Sequence, residues 1–539
     1  MTALDLLLRG GRVHTVDRLV PIAGAIGIVG GRIAWVGTDA DVPPARRTID
    51  LGGRLVLPGF IDSHNHVRLG SNLEAVQLGG IETLAGVRAA LDSHAAVHPE
   101  REWIVAEGWS YAALPERRRP RAADLDGVAP GRAIFVVSYD AHIVWLNREA
   151  MGRIGIGRDV EMVPFGHVEH DLDGEPTGYI SDFAVMGLSR DGTAALAALS
   201  PVDFGADAQY RSLRSSLDLA VESGITTIVE PQNSLDDLAL LERARADGLL
   251  RSRLIAALFH PPGTSAADLD AFADARRRFD DDRLRVGPLK LYIDDVVEPH
   301  TAALLEPYAD EPSTAGDTYY SPAEFAALVV ELEERGFQLF VHATGDRGVR
   351  TILDGVEHAR TVRGPADVRH QVVHAELIHP DDVPRFARLG VAACMQPRHA
   401  APDIVVDWRQ AVGPERYDRA FRWRALVEAG ATLAFSSDWN VTEMEPLIGL
   451  QAALTRADRA GRNAWSTDQT VDLATAIHAY TMGGAYANFL EADRGSVSVG
   501  KQADLVALAE DLFAIEPAAY PDVGIDLVMV DGEAVVDRI

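Results

Sequence analysis

Short apolar runs separated by glycine-rich turns occur at both ends of the chain, and this pattern predicts β-strands there. These runs occupy residues 6–13, 25–37, 503–508 and 525–536. We therefore expect residues 1–54 and 495–539 to form one small β-sandwich domain. Everything between them would then be a single, larger insertion.

The central insertion alternates short apolar runs with helical patterns, which indicates β-α units and a parallel sheet. The candidate strands span residues 55–61, 225–229, 254–259, 289–293, 337–341, 371–373, 391–395 and 432–435. Eight such units predict an α/β fold with a TIM-like (β/α)8 barrel over residues 55–494. Residues 68–200 follow the first strand and are too long for a loop, so we expect an inserted subdomain that covers the barrel mouth.

The helical patterns carry start and stop signals that can be checked one by one. Ser321 is a candidate N-cap, Pro322 occupies the first helical position and Glu324 completes a capping box. Apolar residues then follow helical spacing until Gly336. The sequence predicts a helix here, and a similar one within residues 234–248.

Two histidines end the first predicted barrel strand, in the stretch PGFIDSHNH at residues 58–66. Strand side chains alternate with period 2, so His64 and His66 point the same way, about 6–7 Å apart along the backbone. Such a pair can grip one metal ion. An isolated pair of this kind is also compatible with two polar loop histidines, so the interpretation depends on further ligands.

Further candidate ligands occur at the ends of other predicted strands. The complete set is His64, His66, Lys290, His342, His374 and Asp438. In a parallel barrel these ends meet at one mouth, where catalytic groups lie. Singly, a histidine here is typical of a hydrogen-bonded core and Asp438 of a helix N-cap. Together, the six indicate a metal site.

Composition and charge narrow the functional classes. The 539 residues include 51 basic and 80 acidic ones, a formal charge of −29, which disfavours nucleic acid and anionic membranes as partners. Cys394 is the single cysteine, which excludes an internal disulfide. No apolar run reaches the roughly 18 residues of a membrane span, and the N-terminus lacks a secretory pattern. We expect a cytoplasmic protein.

Several motifs resemble the metal-dependent amidohydrolase superfamily, in the family 3 branch that includes N-substituted formamide deformylases. They are PGFIDSHNH at 58–66, LKLYIDD at 289–295, HATGDRGVR at 342–350, VVHAELIHPDD at 372–382, WRALVEAGATLAFSSDWNV at 423–441 and GSVSVGKQADLVAL at 495–508. The resemblance implies a barrel beside a β-sandwich made from both termini. It also implies one or two divalent ions, with zinc as the usual metal.

The resemblance also implies roles for individual residues. His64, His66 and Asp438 would hold the more buried ion, and His342 and His374 the more exposed one. Lys290 would bridge the two as an N-carboxylated lysine, which is reasonable because a plain ammonium would be repelled by metal cations. Asp438 would act as general base towards a water activated by the metal.

Other polar and aromatic residues are candidates for contact with the substrate or for structural roles. His142 is a candidate catalytic contact with the substrate, or a structural hydrogen-bonding group. Trp109 would line an apolar pocket or belong to a core, and Arg398 could bind a carboxylate or be merely solvated. His399, which follows the seventh strand beside Arg398, is a further candidate contact with the substrate. Glu230 is an alternative bridging carboxylate if Lys290 is unmodified.

These observations favour a hydrolase that cleaves a non-peptide carbon–nitrogen bond, an amide, in a small and partly apolar molecule. The same site could instead serve an esterase, a lactonase or a deaminase. A catalytically silent binding protein is the alternative outside enzymes, although six intact candidate ligands argue against it. The expected partner is a small-molecule substrate, and the resemblance adds a homodimer.

Overall fold

The computed structural model describes residues 3–69, 75–115, 118–139, 142–158, 167–181 and 205–539. Its strands are β1 (Leu4–His14), β2 (Ile22–Val29), β3 (Arg32–Gly37), β4 (Ala45–Asp50), β5 (Leu55–Pro58), β6 (Phe60–Asp62), β7 (Val76–Gln77), β8 (Trp103–Trp109), β9 (Ala133–Ser138), β10 (Ile143–Leu146), β11 (His167–His170), β12 (Pro176–Ser181), β13 (Ile225–Asn233), β14 (Arg253–Phe259), β15 (Leu284–Tyr292), β16 (Leu339–Ala343), β17 (Gln371–His374), β18 (Ala392–Met395), β19 (Thr432–Phe435), β20 (Leu505–Leu508), β21 (Ile525–Val530) and β22 (Glu533–Asp537).

The α-helices of the same residues lie mostly between the barrel strands. They are α1 (Leu84–Val97), α2 (Arg148–Ile154), α3 (Gly205–Glu222), α4 (Asp237–Ala246), α5 (Ala266–Arg278), α6 (Pro322–Glu334), α7 (Asp346–Arg363), α8 (Val383–Leu389), α9 (Val406–Val412), α10 (Trp423–Glu428), α11 (Pro446–Thr455), α12 (Leu473–His478) and α13 (Gly484–Ala487). Within the described ranges, none of the helices combines the length and apolar character needed to cross a bilayer.

Eight parallel strands form a nearly closed barrel, which confirms the predicted α/β barrel. They follow the order β6, β13, β14, β15, β16, β17, β18, β19. Ser63, just past β6, donates its backbone N–H to the carbonyl oxygen of Phe435 on β19 across 3.5 Å, which brings the first and last strands together. The strands are apolar and mostly buried, as parallel strands covered by helices require.

The predicted first strand, residues 55–61, is two strands in two different sheets. β5 pairs with β1 and β20, whereas β6 pairs with β13 of the barrel. The change of sheet occurs at Gly59, where an added Cβ would overlap the side chain of Thr226. The sequence shows no break between the two strands, because both are buried and together form one continuous apolar run.

Strands from both ends of the chain pair in one mixed sheet. Its order is β22, β21, β20, β5, β1, β2, β3, with β4 beside β1. The sheet buries aliphatic side chains from both termini, including Leu8, Ile26 and Leu527. The pairing of the two ends agrees with the sequence, while the sandwich arrangement and the domain limits 1–54 with 495–539 stay predictions.

The residues after the first barrel strand form a compact unit of their own. This unit spans Ser71–Leu213, and the other comprises Met1–Gly70 with Arg214–Ile539. Its sheet has the order β11, β12, β10, β9, β8, β7. A core around Trp109, Trp145 and Ile134 lies beneath that sheet. The predicted subdomain 68–200 falls in this region, and its role as a cover stays a prediction.

Helix α6 forms where its capping signals predict. The hydroxyl of Ser321 accepts the backbone N–H of Glu324 at 3.3 Å, and the Glu324 carboxylate accepts the N–H of Ser321 at 2.9 Å. Phe325, Val329 and Leu332 are fully buried on one face. The second predicted helix, within residues 234–248, is α4.

Candidate metal centre

The six predicted metal ligands all lie at the carboxyl ends of barrel strands. His64 and His66 follow β6, Lys290 lies in β15, His342 in β16, His374 ends β17 and Asp438 follows β19. The strand register places Tyr292 beside His342 and Ala343 beside His374, so these ends stand at one level. The barrel thus brings residues far apart in sequence to one mouth.

Asp62 ties together the loops that carry His64, His66 and Asp438. Its carboxylate accepts the backbone N–H of Ser437 at 2.9 Å, the Ser437 hydroxyl at 2.6 Å and the Asn65 amide at 2.9 Å. Burial raises the pKa of Asp62 to about 6 despite these hydrogen bonds. The backbone adds a second link, because Asp438 donates its N–H to the carbonyl of His64 at 2.8 Å.

His64, His66 and Asp438 converge on one point. The two Nε2 atoms lie 3.2 Å apart, and Asp438 Oδ1 is 3.0 Å from that of His64 and 3.3 Å from that of His66. Two ligands of a tetrahedral zinc ion, each about 2.0–2.1 Å from the metal, are about 3.3 Å apart. The three atoms therefore have the spacing of a metal coordination sphere.

Charge in this group favours neutral imidazoles around one carboxylate. Burial lowers the pKa of His64 to about 3, which leaves the ring neutral and able to bind a metal at neutral pH. Burial opposes ionisation of Asp438, but its neighbours His64, His66 and His374 outweigh it and hold the Asp438 pKa well below its ordinary value. Asp438 Oδ1 is buried and has no hydrogen-bond partner among the described residues.

His342 and His374 extend the group on its other side. The His374 ring lies 5.1 Å from that of His64 and 4.5 Å from that of His342, centroid to centroid. His374 Nδ1 is 2.8 Å from Gln396 Oε1, and His342 Nε2 is 3.1 Å from the carbonyl of Asp295. One nitrogen of each ring is thus held by an oxygen of the protein, an arrangement typical of metal-binding histidines.

Two of the six candidate ligands have left-handed backbones. The φ angles are +69° for His374 and +57° for Asp438. Such conformations cost of order 1–3 kcal/mol in residues other than glycine and concentrate at functional sites. The surrounding structure therefore offsets this energetic cost at both His374 and Asp438.

Lys290 is fully buried among aromatic side chains. Its Nζ lies 4.6 Å from the centre of the Tyr292 ring and 5.4 Å from that of Phe340. Burial lowers its pKa to about 7, so a large fraction of the amine is uncharged at neutral pH. Glu230 lies in the second half of β13 and is also buried, and burial raises its pKa to about 8. Neither of its carboxylate oxygens has a hydrogen-bond partner in the described structure.

A second group of candidate ligands consists of His374, Glu376 and His399. His399 Nδ1 is 3.2 Å from Glu376 Oε1, and Trp408 donates its indole N–H to Glu376 Oε2 at 2.9 Å. His399 was predicted as a contact with the substrate, whereas Glu376 and Trp408 were not predicted to belong to the site. The spacing of His374 and Glu376 repeats that of His64 and His66 and could have pointed to Glu376.

The remaining predicted substrate contacts are Arg398, Trp109 and His142, and their environments differ. Arg398 is buried and forks onto Asp403 at 2.7 and 2.5 Å and onto Glu443 at 2.8 Å, so its guanidinium already has carboxylate partners. These contacts link two loops through Arg398, and its role towards a substrate stays a prediction. Trp109 is fully buried in the hydrophobic core of its own unit, and its contact with a substrate stays a prediction. His142 lies in the inserted unit, and its role stays a prediction.

Comparisons with known proteins identify similar sequences and similar folds. The profile that describes the amidohydrolase family matches residues 47–536. N-substituted formamide deformylase of Arthrobacter pascens is 26% identical over 522 residues, covering 94% of both chains. An uncharacterized metal-dependent hydrolase from Pyrococcus horikoshii OT3 superposes with a TM-score of 0.73 at 21% identity, over 95% of this chain and 99% of that one. Atrazine chlorohydrolase TrzN from Arthrobacter aurescens TC1, complexed with zinc, gives 0.54 at 17% identity, over 99% and 95%.

Proposed function

Because the chain belongs to the amidohydrolase family, we propose that it is a metal-dependent hydrolase acting on an amide, a non-peptide carbon–nitrogen bond, of a small and partly apolar molecule. The convergence of His64, His66 and Asp438 within 3.0–3.3 Å carries the proposal. The similarity to a formamide deformylase supports the choice of an amide.

The residues present fit a zinc site. His64, His66 and Asp438 would hold one ion, and His342 with His374 would hold a second. Neutral imidazoles and an ionised carboxylate without a hydrogen-bond partner on Oδ1 are the donors that zinc prefers. When bound, the metal supplies Lewis acidity and makes water a stronger acid.

Lys290 would bridge the ions after carboxylation. Formation of an N-carboxylate requires the uncharged amine, and the lowered pKa of Lys290 provides it near neutral pH. The product carries a negative charge, which suits a position between two cations far better than an ammonium does. Glu230 is the alternative bridging carboxylate.

Asp438 is the proposed general base. Its carboxylate is ionised at neutral pH, since its pKa lies well below the ordinary value. It would accept the proton of the attacking water and deliver it to the leaving nitrogen as the amide bond breaks. His64 and His66 face its Oδ1, and His399 Nε2 lies 3.4 Å from its Oδ2, so the carboxylate is held in one orientation.

The test is metal content per chain, followed by hydrolysis of N-formyl, N-acetyl and N-aryl amides and of matched esters. We expect bound zinc and amide cleavage that a chelator abolishes and zinc restores. His358→Ala removes an exposed helix histidine and serves as the matched control, with full metal and activity. A metal-free protein that stays inert after zinc is added would mean a binding protein, and faster ester cleavage would mean an esterase.

A further inference from the structure

The ring of His399 lies between two carboxylates at the barrel mouth. Its Nδ1 is 3.2 Å from Glu376 Oε1, and its Nε2 is 3.4 Å from Asp438 Oδ2. The contact with Glu376 satisfies hydrogen-bond geometry, whereas the described structure gives Nε2 no hydrogen-bond partner although the atom is buried. One side of the ring is therefore anchored by a hydrogen bond, and the other faces the Asp438 carboxylate without one.

The anchoring group is itself fixed. Glu376 accepts the Nδ1–H of His399 on one oxygen and the indole N–H of Trp408 at 2.9 Å on the other. A histidine that donates one ring N–H to an oriented carboxylate presents the opposite nitrogen, with its lone pair, to a metal. His374 is held in the same way, because its Nδ1 faces Gln396 Oε1 at 2.8 Å.

The separations also match a shared coordination sphere. His399 Nε2 and Asp438 Oδ2 are 3.4 Å apart, close to the spacing of about 3.3 Å between two ligands of one tetrahedral zinc ion. The rings of His374 and His399 are nearly parallel, 8° apart, with centroids separated by 5.7 Å. Ligand atoms of His374, Glu376 and His399 all lie within 4.8 Å of one another.

We propose that His399 is a further metal ligand, bound through Nε2, and that Glu376 and Trp408 are positioning residues that hold it. The inference rests on the proposed function, since it adds one more ligand to the metal centre at the barrel mouth. Without a metal, His399 Nε2 faces the Asp438 carboxylate at 3.4 Å and makes no hydrogen bond within the described structure, although the atom is buried.

The experiment measures zinc affinity of the whole protein by competition with a chromophoric chelator, with ions per chain determined in parallel. His399→Ala should weaken zinc binding by at least about 100-fold. Glu376→Gln keeps the side-chain shape and should weaken it by about 10–100-fold, as loss of an orienting partner does. Trp408→Phe should have a smaller effect in the same direction, and His358→Ala should have none. Circular dichroism checks that each variant is folded.

The outcomes separate this inference from the proposed function. Wild-type protein that binds no zinc rejects the proposed function and this inference with it. Wild-type protein that binds zinc, with unchanged affinity in His399→Ala, overturns the inference and leaves the proposed function standing. An effect of Glu376→Gln without one of His399→Ala also overturns it, because Glu376 is assigned to act through His399. Loss of affinity in the stated order supports it.

Discussion

Asp438 combines two roles whose consequences differ under substitution. Asp438→Asn keeps an oxygen facing His64 and His66 but removes the ionised carboxylate that accepts the proton. We expect zinc content to stay nearly intact while turnover falls by about 10²–10⁴-fold, the range for loss of a general base. Steady-state kinetics together with elemental analysis measure both quantities. A loss of less than tenfold would exclude Asp438 as the base.

Lys290 gives a separate test of the bridging ligand. Lys290→Ala removes the side chain proposed to carry the bridging carboxylate, so zinc content should fall. Short carboxylic acids should restore part of the metal and activity by filling the space. Full metal retention with no effect of added acid would point instead to Glu230, whose buried carboxylate has no hydrogen-bond partner in the described structure, or to a site with one ion.

At the level of single residues, the sequence predicted which side chains meet at the barrel mouth better than it predicted their individual contacts. His64, His66 and Asp438 could be placed together because strand ends meet at the barrel mouth. The surroundings of Arg398 could not be predicted, since its partners Asp403 and Glu443 lie in loops that no periodicity describes. Glu376 was not predicted as a site residue. It lies two positions after His374 and could share its side of the chain, but only the histidine was considered as a ligand.

At the level of elements, the junction between β5 and β6 is the most sensitive feature. Gly59 donates its N–H to the carbonyl of Asp504 in one sheet, and Phe60 donates to that of Gly224 in the other. Gly59→Ala would press a methyl group against Thr226, so we expect a loss of about 1–3 kcal/mol in the free energy of unfolding. Chemical denaturation measures it.

The control for this substitution is Gly79→Ala. Gly79 is exposed, and an added Cβ there meets no atom within 4 Å, so its effect should stay within about 0.5 kcal/mol. Equal stabilities of the two variants would show that the junction accepts an alanine side chain. The closeness of Thr226 would then not be a reason for glycine at position 59.

Strand positions were predictable and strand partners were not. β19 has the predicted limits, while β15 begins five residues earlier than expected, at Leu284. The predicted strand at 55–61 was wrong as a single element, because an apolar run reports burial and not which sheet buries it. Partners are decided by contacts between distant segments, such as β5 with β20.

At the scale of the whole molecule, the sequence indicated that the two ends of the chain meet, because similar strand patterns occur at both. The structure adds the group that joins their sheet to the barrel. Arg253, at the start of β14, is 2% exposed and donates to Asp504 at 2.6 Å and to Asp282 at 3.1 Å, and it also contacts Asp531. Such ion pairs join residues far apart in the chain, so local sequence patterns cannot predict them.

The final prediction concerns this junction. Arg253→Ala removes the main counter-charge of Asp504, which is 4% exposed, and this should lower the free energy of unfolding by about 3–5 kcal/mol. Arg277→Ala, which removes an exposed pair with Asp274, should cost less than about 1 kcal/mol. Position 253 lies at the amino end of its strand, away from the mouth, so folded Arg253→Ala should keep its zinc. Similar stabilities of the two variants would contradict the assigned role, and loss of zinc from folded protein would show that the terminal sheet shapes the metal site.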